Sequence, residues 1–170
     1  MQHRTLMSSS NIVDILKKMP EVKGAYFLPF HVDHTHNFQG IIDYETKSVT
    51  LEDRIRYVEA QSRCGPTVTA FVDNVPVAVF GCVILWSGVG EAWSIFSEKA
   101  RRYPIAMTKS AIAFFDIVEI LFSLHRLQIT VNSNDSRAMG WAKCLKFVPE
   151  GLMLEYSADK DDTFMMRRSK

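Results

Sequence analysis

The segment from Thr67 to Phe147 constrains the fold most, because its predicted strands and helices follow one another in a definite order. Two β-branched, apolar runs at Thr67–Val72 and Val77–Trp86 are separated by turn-forming residues and predict a β-hairpin. A third run at Ala92–Phe96 predicts another strand, and Pro104 suits the first turn of the long apolar helix that follows. This order favours an α/β fold.

The rest of the chain continues the alternation of strands and helices. Leu127–Val131 alternates at the period of a strand, and Asp135 with the polar residues before it offers caps for an amphipathic helix. We interpret Phe147–Gly151 as a turn into a last pair of strands at Leu152–Ser157 and Thr163–Arg167.

The first part of the chain, residues 1–66, gives weaker signals. A short helix ends at Pro20, and Ala25–Phe30 reads as a strand whose proline favours an edge position. The polar, histidine-rich segment His31–Asp43 predicts a loop, and Thr50 is a candidate N-cap for a second helix. No repeat or linker interrupts the sequence, so we predict a single domain over residues 1–170.

Composition excludes several classes of protein. With 170 residues, 47% hydrophobic and 23% charged, the chain has the composition of one globular domain, and its net charge of +1 predicts no general attraction to nucleic acid. Three widely spaced cysteines without a CxxC pattern favour a reducing compartment. The apolar region Ile105–Leu124 is interrupted by charges, so we expect a core helix rather than a membrane span, and a cytoplasmic or virion-internal protein.

The last predicted helix and the turn after it resemble a known superfamily. The helix that contains Ala138 runs into Lys146 and Phe147, and Pro149-Glu150-Gly151 follows. With the order of elements over roughly the last hundred residues, this resembles the GNAT (GCN5-related N-acetyltransferase) superfamily, except that Lys146 stands where glycine is usual. The resemblance implies an α/β, GNAT-like (acyl-CoA N-acyltransferase) fold, in which a mixed, twisted sheet is flanked by helices on both faces. The hairpin, the cofactor half and the closing hairpin are expected in residues 67–168.

The resemblance also implies a site for acetyl-CoA. In active members a glycine-rich turn closes main-chain N–H groups around the diphosphate, but the matching run here, Ser97–Pro104, contains no glycine. Side-chain charge is the implied substitute, and a solvated basic turn is the alternative. The basic residues of this run are Lys99, Arg101 and Arg102. The strand residues whose backbone would hydrogen-bond the pantetheine arm are Ser94, Ile95 and Phe96.

The catalytic residues of the family are only partly matched. The position of the tyrosine that protonates the leaving thiolate in many members holds Ala142. Glu91 or a histidine of the His31–His36 cluster, with His34 as the candidate, is the implied general base. The spacing of that cluster matches no zinc motif, so we expect no metal and keep an ordinary polar loop as the alternative.

A glycine-free turn together with Ala142 resembles the GNAT-like internal virion proteins of short-tailed phages. The first hypothesis is therefore a virion or assembly protein with a degenerate acetyl-CoA site, whose partners are other virion proteins or copies of itself. The second is an active N-acetyltransferase acting on an amine of a small molecule or a protein. A toxin-like or regulatory module is the third. The basic end Arg167–Lys170 predicts a solvated tail, with a contact to nucleic acid or to an acidic partner as the alternative.

Overall fold

The computed structural model describes residues 9–36 and 50–169. The helices are α1 (Ser9–Lys18), α2 (Asp33–His36), α3 (Leu51–Ser62), α4 (Pro104–Leu121) and α5 (Ser136–Cys144), with a short 3-10 helix at Glu98–Arg102. The strands are β1 (Ala25–Pro29), β2 (Thr67–Val72), β3 (Val75–Trp86), β4 (Val89–Phe96), β5 (Arg126–Asn132), β6 (Phe147–Met153) and β7 (Thr163–Arg168). The predicted loop beyond His36 lies outside the described residues.

All seven strands form one sheet in the order β1-β2-β3-β4-β5-β7-β6. Neighbouring strands are antiparallel except β4 and β5, which are parallel and are joined by α4. The sheet is therefore mixed, as predicted. A parallel pair needs a crossover connection, and the long apolar helix between these two strands supplies it.

Helices lie on both faces of the sheet. On one face α1 packs against α4, and the rings of Phe80 and Phe114 lie 6.4 Å apart in the core beneath them. On the opposite face α2 brings His34 against Thr69 and Phe71, and α3 packs on β3. We call these the α4 face and the α3 face. The prediction of a sheet flanked by helices is confirmed.

Local signals placed several boundaries correctly. Thr50 is the N-cap of α3 and accepts from the Asp53 N–H, while Asp135 caps α5 by accepting from the Ala138 N–H. The β2–β3 turn is tighter than predicted, since Asp73 and Asn74 alone occupy it with φ of 51° and 61°. Two residues with positive φ match the twist of a hairpin, so β3 begins at Val75.

The interpretation of Phe147–Gly151 as a turn is wrong, because these residues form most of β6. The strand pairs only with β7 and lies at the edge of the sheet, where Pro149 needs no second partner for its missing N–H. A register shift between Pro149 and Gly151 leaves Glu150 as the bulged residue. The turn residues thus mark an irregular edge strand rather than the end of one.

The three cysteines are free thiols in different surroundings. Cys64 and Cys144 are exposed, while Cys82 is fully buried on the α4 face of the sheet. Burial, with the nearby charges of Glu119 and Glu91, raises the pKa of Cys82 to about 12. Within the described ranges no helix combines the length and the apolar character needed to cross a bilayer.

Candidate functional site

A divergence of β4 from β5 is the central feature of the candidate site. The parallel ladder covers only three pairs and ends where Glu91 lies opposite Gln128. Beyond that pair β4 continues to Phe96 with β3 as its partner on one side and no pairing to β5 on the other in the described sheet. We call this wedge the splay and its closed end, at Glu91, the apex. Main-chain groups of β4 along the splay are available to a ligand.

Alternation along β4 divides its side chains between the two faces. Trp93 lies over Gly81 on the α3 face, where a Cβ at Gly81 would meet the indole ring at 2.2 Å. Glu91 and Ile95 share that face by the period of two. Phe96 lies on the α4 face, with its ring 5.9 Å from that of Phe80. Of the predicted pantetheine contacts, Ser94 and Phe96 therefore share one face and Ile95 the other.

An aromatic contact lies on the α4 face of the splay. Trp141 of α5 meets the Phe96 ring edge-on, with centroids 4.9 Å apart, and its Nε1–H donates to Thr108 Oγ1 of α4 at 3.0 Å. Ala142, at the tyrosine position, is buried beside it. Trp141 therefore links the end of β4 to α4 on this face. No short-range pattern predicts that Trp141 and Thr108 meet, because they are 33 positions apart.

Glu91 at the apex is held in a defined orientation. Gln128 Nε2 donates to Glu91 Oε2 at 3.1 Å, while Gln128 Oε1 accepts from Arg126 Nε at 2.8 Å. Because an arginine can only donate, the amide oxygen must face Arg126 and the amide NH₂ must face Glu91. The candidate base is thus a half-buried carboxylate with one oxygen held by a hydrogen bond at the apex of the splay.

The hydrogen bonds continue from the apex across the sheet. Arg126 forms a two-pronged contact with Glu150, at 2.6 and 3.3 Å, and Arg167 Nε donates to the same carboxylate at 2.8 Å. These hydrogen bonds, first from Arg126 and then from Arg167, lower the pKa of Glu150. We call Glu91, Gln128, Arg126, Glu150 and Arg167 the apex row. All its charges have partners within the row.

The structure does not bring His34 to Glu91. A ring nitrogen of His34 lies 2.9 Å from Thr69 Oγ1, and Thr69 is level with Ile95 through the strand register. Glu91 lies four residues further along β4, so the two side chains are separated by ~13 Å along the strands and ~10 Å across them. Both candidates lie on the α3 face, but only Glu91 adjoins the splay.

The histidine cluster has its own local contacts. His31 and His36 approach Asp33 at 3.2 and 3.8 Å. Burial, and then the neighbouring His31, lower the pKa of His34, with Asp33 opposing them. Among the residues described, no three histidine, cysteine, aspartate or glutamate side chains gather closely enough to hold a metal ion. The cluster therefore includes the short helix α2, which His34 joins to β2 through its contact with Thr69.

The basic turn after β4 divides its three cations. Lys99 Nζ donates to the Val72 carbonyl at 3.3 Å and to Asp73 Oδ2 at 3.1 Å, so it fastens the β2–β3 turn. Arg101 and Arg102 are exposed and have no ion pair within the described ranges. Ser97 Oγ, at the end of β4, is buried and has no hydrogen-bond partner among the described residues. Only the two arginines therefore remain free to meet a phosphate.

A depression of about 450 Å³ lies where the α1–β1 loop meets the start of α4. Its residues are Glu21, Val22, Lys23, Arg102, Tyr103, Pro104, Ile105, Ala106 and Lys109. We call it the Lys23 pocket. Of its three cations, Lys23, Arg102 and Lys109, only Arg102 was a predicted phosphate contact. Lys109 is an exposed residue in the second turn of the predicted Pro104 helix, so the sequence could have indicated that it lies near Arg102. Lys23 is far away in the chain, and nothing in the sequence indicates that it approaches this helix.

The basic end of the chain is part of the fold. Arg168 is almost fully buried and contacts Asp116 at 2.8 Å and Glu119 at 2.7 Å, and its Nε donates to the Leu145 carbonyl. Arg167 belongs to the apex row. The interpretation of these two arginines as a solvated tail is wrong, because both side chains form internal ion pairs.

Comparison with known proteins places the fold. No family model matches the sequence, and no curated protein sequence matches it. Among solved structures, Ard1 from Thermoplasma volcanium has a TM-score of 0.66 at 13% identity, over 85% of this chain and 97% of Ard1. The RimL ribosomal L7/L12 alpha-N-protein acetyltransferase, in complex with coenzyme A, has a TM-score of 0.66 at 15% identity, over 88% of this chain and 96% of RimL.

A putative acetyltransferase from Salmonella typhimurium, yncA with its cofactor acetyl-CoA, has a TM-score of 0.63 at 12% identity, over 85% of this chain and 92% of yncA. At such identities the likeness establishes the fold. The chain has the fold of the GNAT acetyltransferases, as its order of elements predicted.

Proposed function

We propose that this protein binds acetyl-CoA along the splay and transfers the acetyl group to an amine. The observation that carries the proposal is the end of the β4–β5 ladder at Glu91–Gln128, which leaves the β4 backbone from Ala92 to Phe96 without a partner on that side. An extended ligand that contains amides, such as pantetheine, can add to such an edge as a further strand would.

The residues around the splay fit this ligand in three respects. Ser94 and Phe96 line the α4 face of the splay, and the buried Ser97 Oγ at its end lacks a hydrogen-bond partner among the described residues. Arg101 and Arg102 are exposed cations near the start of α4. Lys99, tied to Asp73, is not available to the phosphates without breaking that contact. The proposed contacts of the cofactor are therefore Ser94, Ile95, Phe96, Arg101 and Arg102.

Glu91 is the proposed general base. When bound, acetyl-CoA supplies an activated acetyl thioester, and the amine nitrogen bonds to its carbonyl carbon as the carbon–sulfur bond breaks. Glu91 takes the amine proton, directly or through a water, and coenzyme A leaves as the thiol with a proton from solvent. Gln128 holds the carboxylate toward the apex. Ala142 provides no acid, so the leaving thiolate depends on solvent.

Ligand-induced stabilisation tests the proposal. A ligand that binds only the folded state raises apparent stability, by about 2.7 kcal/mol at a hundredfold excess over Kd. We expect acetyl-CoA to raise the melting temperature of the wild-type protein, and to raise it less in a Phe96→Ala variant, which alters the wall of the splay. Pantetheine serves as a control ligand, because it has the amide-containing arm of coenzyme A but no nucleotide. An unchanged melting temperature at millimolar acetyl-CoA would exclude the enzyme.

A virion or assembly protein of the phage type, in which the fold remains without the chemistry, is the second candidate. The closed contact of Trp141 with Phe96 and Thr108 favours it, because the indole occupies one wall of the splay. Its partners would be other virion proteins or copies of this chain. For such a protein we expect no response to acetyl-CoA, and co-sedimentation with particles assembled from its neighbouring structural proteins.

A further inference from the structure

The apex row contains a cation that could pair with the candidate base but does not. Arg126 lies opposite Val89, two residues before Glu91 along β4, so the Cα atoms of Arg126 and Glu91 are ~8 Å apart. Side chains as long as these two can span that distance. Glu91 nevertheless has no ion pair among the described residues, and it accepts a hydrogen bond from Gln128 instead.

We infer that Glu150 is a positioning residue, which holds the Arg126 guanidinium away from Glu91 and so keeps the Glu91 carboxylate free to take a proton. The inference rests on the proposed function for the role of Glu91 as the base. The position of the Arg126 side chain can be tested without any reaction.

Every nitrogen of the Arg126 guanidinium is occupied. Its Nη1 and Nη2 donate to the two oxygens of Glu150, at 3.3 and 2.6 Å, and its Nε donates to Gln128 Oε1 at 2.8 Å. A two-pronged contact between a guanidinium and a carboxylate is among the strongest hydrogen-bonded pairs in proteins, and it fixes the direction of both groups. Each nitrogen of Arg126 therefore has a partner other than Glu91.

The irregularity in β6 places Glu150 for this contact. A register shift between Pro149 and Gly151 leaves Glu150 as the bulged residue, and a bulge can redirect a side chain beside a site. Because β7 lies between β6 and β5, the Glu150 carboxylate reaches across a whole strand to meet Arg126. Arg167 of β7 donates to the same carboxylate at 2.8 Å. The bulge and Arg167 together fix the carboxylate that holds Arg126.

Charge explains why the position of Arg126 matters. The hydrogen bonds from Arg126, and then from Arg167, lower the pKa of Glu150, so this carboxylate is ionised at neutral pH. An arginine beside a carboxylate stabilises the ionised form and makes the carboxylate a weaker base. A guanidinium released from Glu150 would have Glu91 within reach. Glu150 therefore protects the proposed base by giving Arg126 another partner.

The variants that test the inference are Glu150→Gln, Arg126→Gln and the double variant that carries both. Acetyl transfer is measured as thiol released from acetyl-CoA, with n-butylamine, spermidine and a short peptide with a free amino terminus as acceptors. We expect Glu150→Gln to lower kcat about tenfold, because an adjacent arginine reduces the basicity of a carboxylate by about that factor or more. The KM for acetyl-CoA should change less than about twofold, since neither residue is a proposed cofactor contact.

The double variant should return kcat to within about threefold of wild type, because no arginine remains to pair with Glu91. Arg126→Gln alone should lose less activity than Glu150→Gln, although the two residues are partners in one ion pair. A purely structural role predicts equal losses in the two single variants and no recovery in the double variant. Glu155→Gln is the matched control and should keep the wild-type kcat, since Glu155 is exposed in the loop between β6 and β7 and has no ion pair among the described residues.

A crystal structure of Glu150→Gln gives a result that needs no reaction. We expect a guanidinium nitrogen of Arg126 within ~3 Å of a Glu91 oxygen. If Arg126 stays on Gln128 or turns to solvent, or if the double variant is as slow as Glu150→Gln, the inference is overturned and the proposed function stands. A wild-type protein that acetylates none of the three amines would count against the proposed function, while contact between Arg126 and Glu91 in the variant would still support the inference.

Discussion

The two ends of the splay differ in how their polar groups are satisfied. At the apex, Glu91 and its row of partners are hydrogen-bonded to one another across four strands, so each charged group has a hydrogen-bond partner before any ligand arrives. At the open end, Phe96 and Trp141 are in aromatic contact, and the exposed Arg101 and Arg102 beyond them have no ion pair among the described residues. The apex is preorganised, which suits chemistry, whereas the open end is built to gain contacts from a ligand.

The largest expected effect tests how tightly the apex is packed. Gly90 lies over Cys82 so closely that a Cβ there would meet Cys82 Sγ at 2.7 Å, and the pKa of Cys82 is raised to about 12 from 9.0. The thiolate fraction is then about a thousandfold lower than for an ordinary thiol at the same pH. We expect a disulfide reagent to modify two thiols, Cys64 and Cys144, in the native protein and a third only after unfolding.

The matched control for this measurement is a Cys82→Ala variant, in which the slow thiol must disappear while the two fast ones remain. Rapid modification of all three cysteines in the folded wild-type protein would mean that the apex opens readily. The contrast between a closed apex and an open far end would then be lost.

The next effect concerns the chemistry at the apex. Glu91→Gln keeps an oxygen that can accept from Gln128 but removes the ability to take a proton, so acetyl transfer should fall about a hundredfold. Free thiol released from acetyl-CoA in the presence of a panel of amines measures the rate. Stability in urea should change by less than ~0.5 kcal/mol. His34→Gln is the control, because that side chain lies against Thr69 and away from the splay. A larger loss in His34→Gln than in Glu91→Gln would reassign the base.

At the open end, Trp141→Ala should destabilise the protein by ~2–3 kcal/mol, since it removes a half-buried indole that contacts Phe96 and a hydrogen bond to Thr108. Trp141→Phe keeps an aromatic ring against Phe96 and should cost ~1 kcal/mol. Urea unfolding gives both values. If the contact between Trp141 and Phe96 restricts the splay, Trp141→Ala should also bind acetyl-CoA more tightly, although it is less stable. Weaker binding in that variant would show that the indole is instead part of the binding wall.

These contrasts show which features a sequence can reveal. Caps, prolines and strand periods are local, so Thr50, Asp135 and Pro104 marked their helices correctly. The cofactor contacts on β4 were expected only through a family resemblance, and the splay itself was not predicted, because where two strands part depends on contacts between distant residues. The Trp141–Thr108 bond, the pairing of Lys99 with Asp73, and the approach of Lys23 to Lys109 all join segments far apart in the chain. Turn residues also misled at β6, since an edge strand tolerates Pro149.

The smallest expected effect lies at the outer end of the apex row and depends on pH. Hydrogen bonds from Arg126 and Arg167 lower the pKa of Glu150 below its usual 4.5, so the ionised carboxylate stabilises the fold at neutral pH. This contribution is complete above the unfolded pKa and is lost as pH falls through the lower folded value. Wild type should therefore exceed Glu150→Gln in urea stability at pH 7, and the difference should shrink below about pH 4.5. Glu155→Gln, whose carboxylate has no ion pair within the described ranges, should show no such convergence. A difference between wild type and Glu150→Gln that stays constant from pH 7 to pH 3 would mean that Glu150 acts by packing rather than by charge, and that the apex row is less strongly paired than its distances indicate.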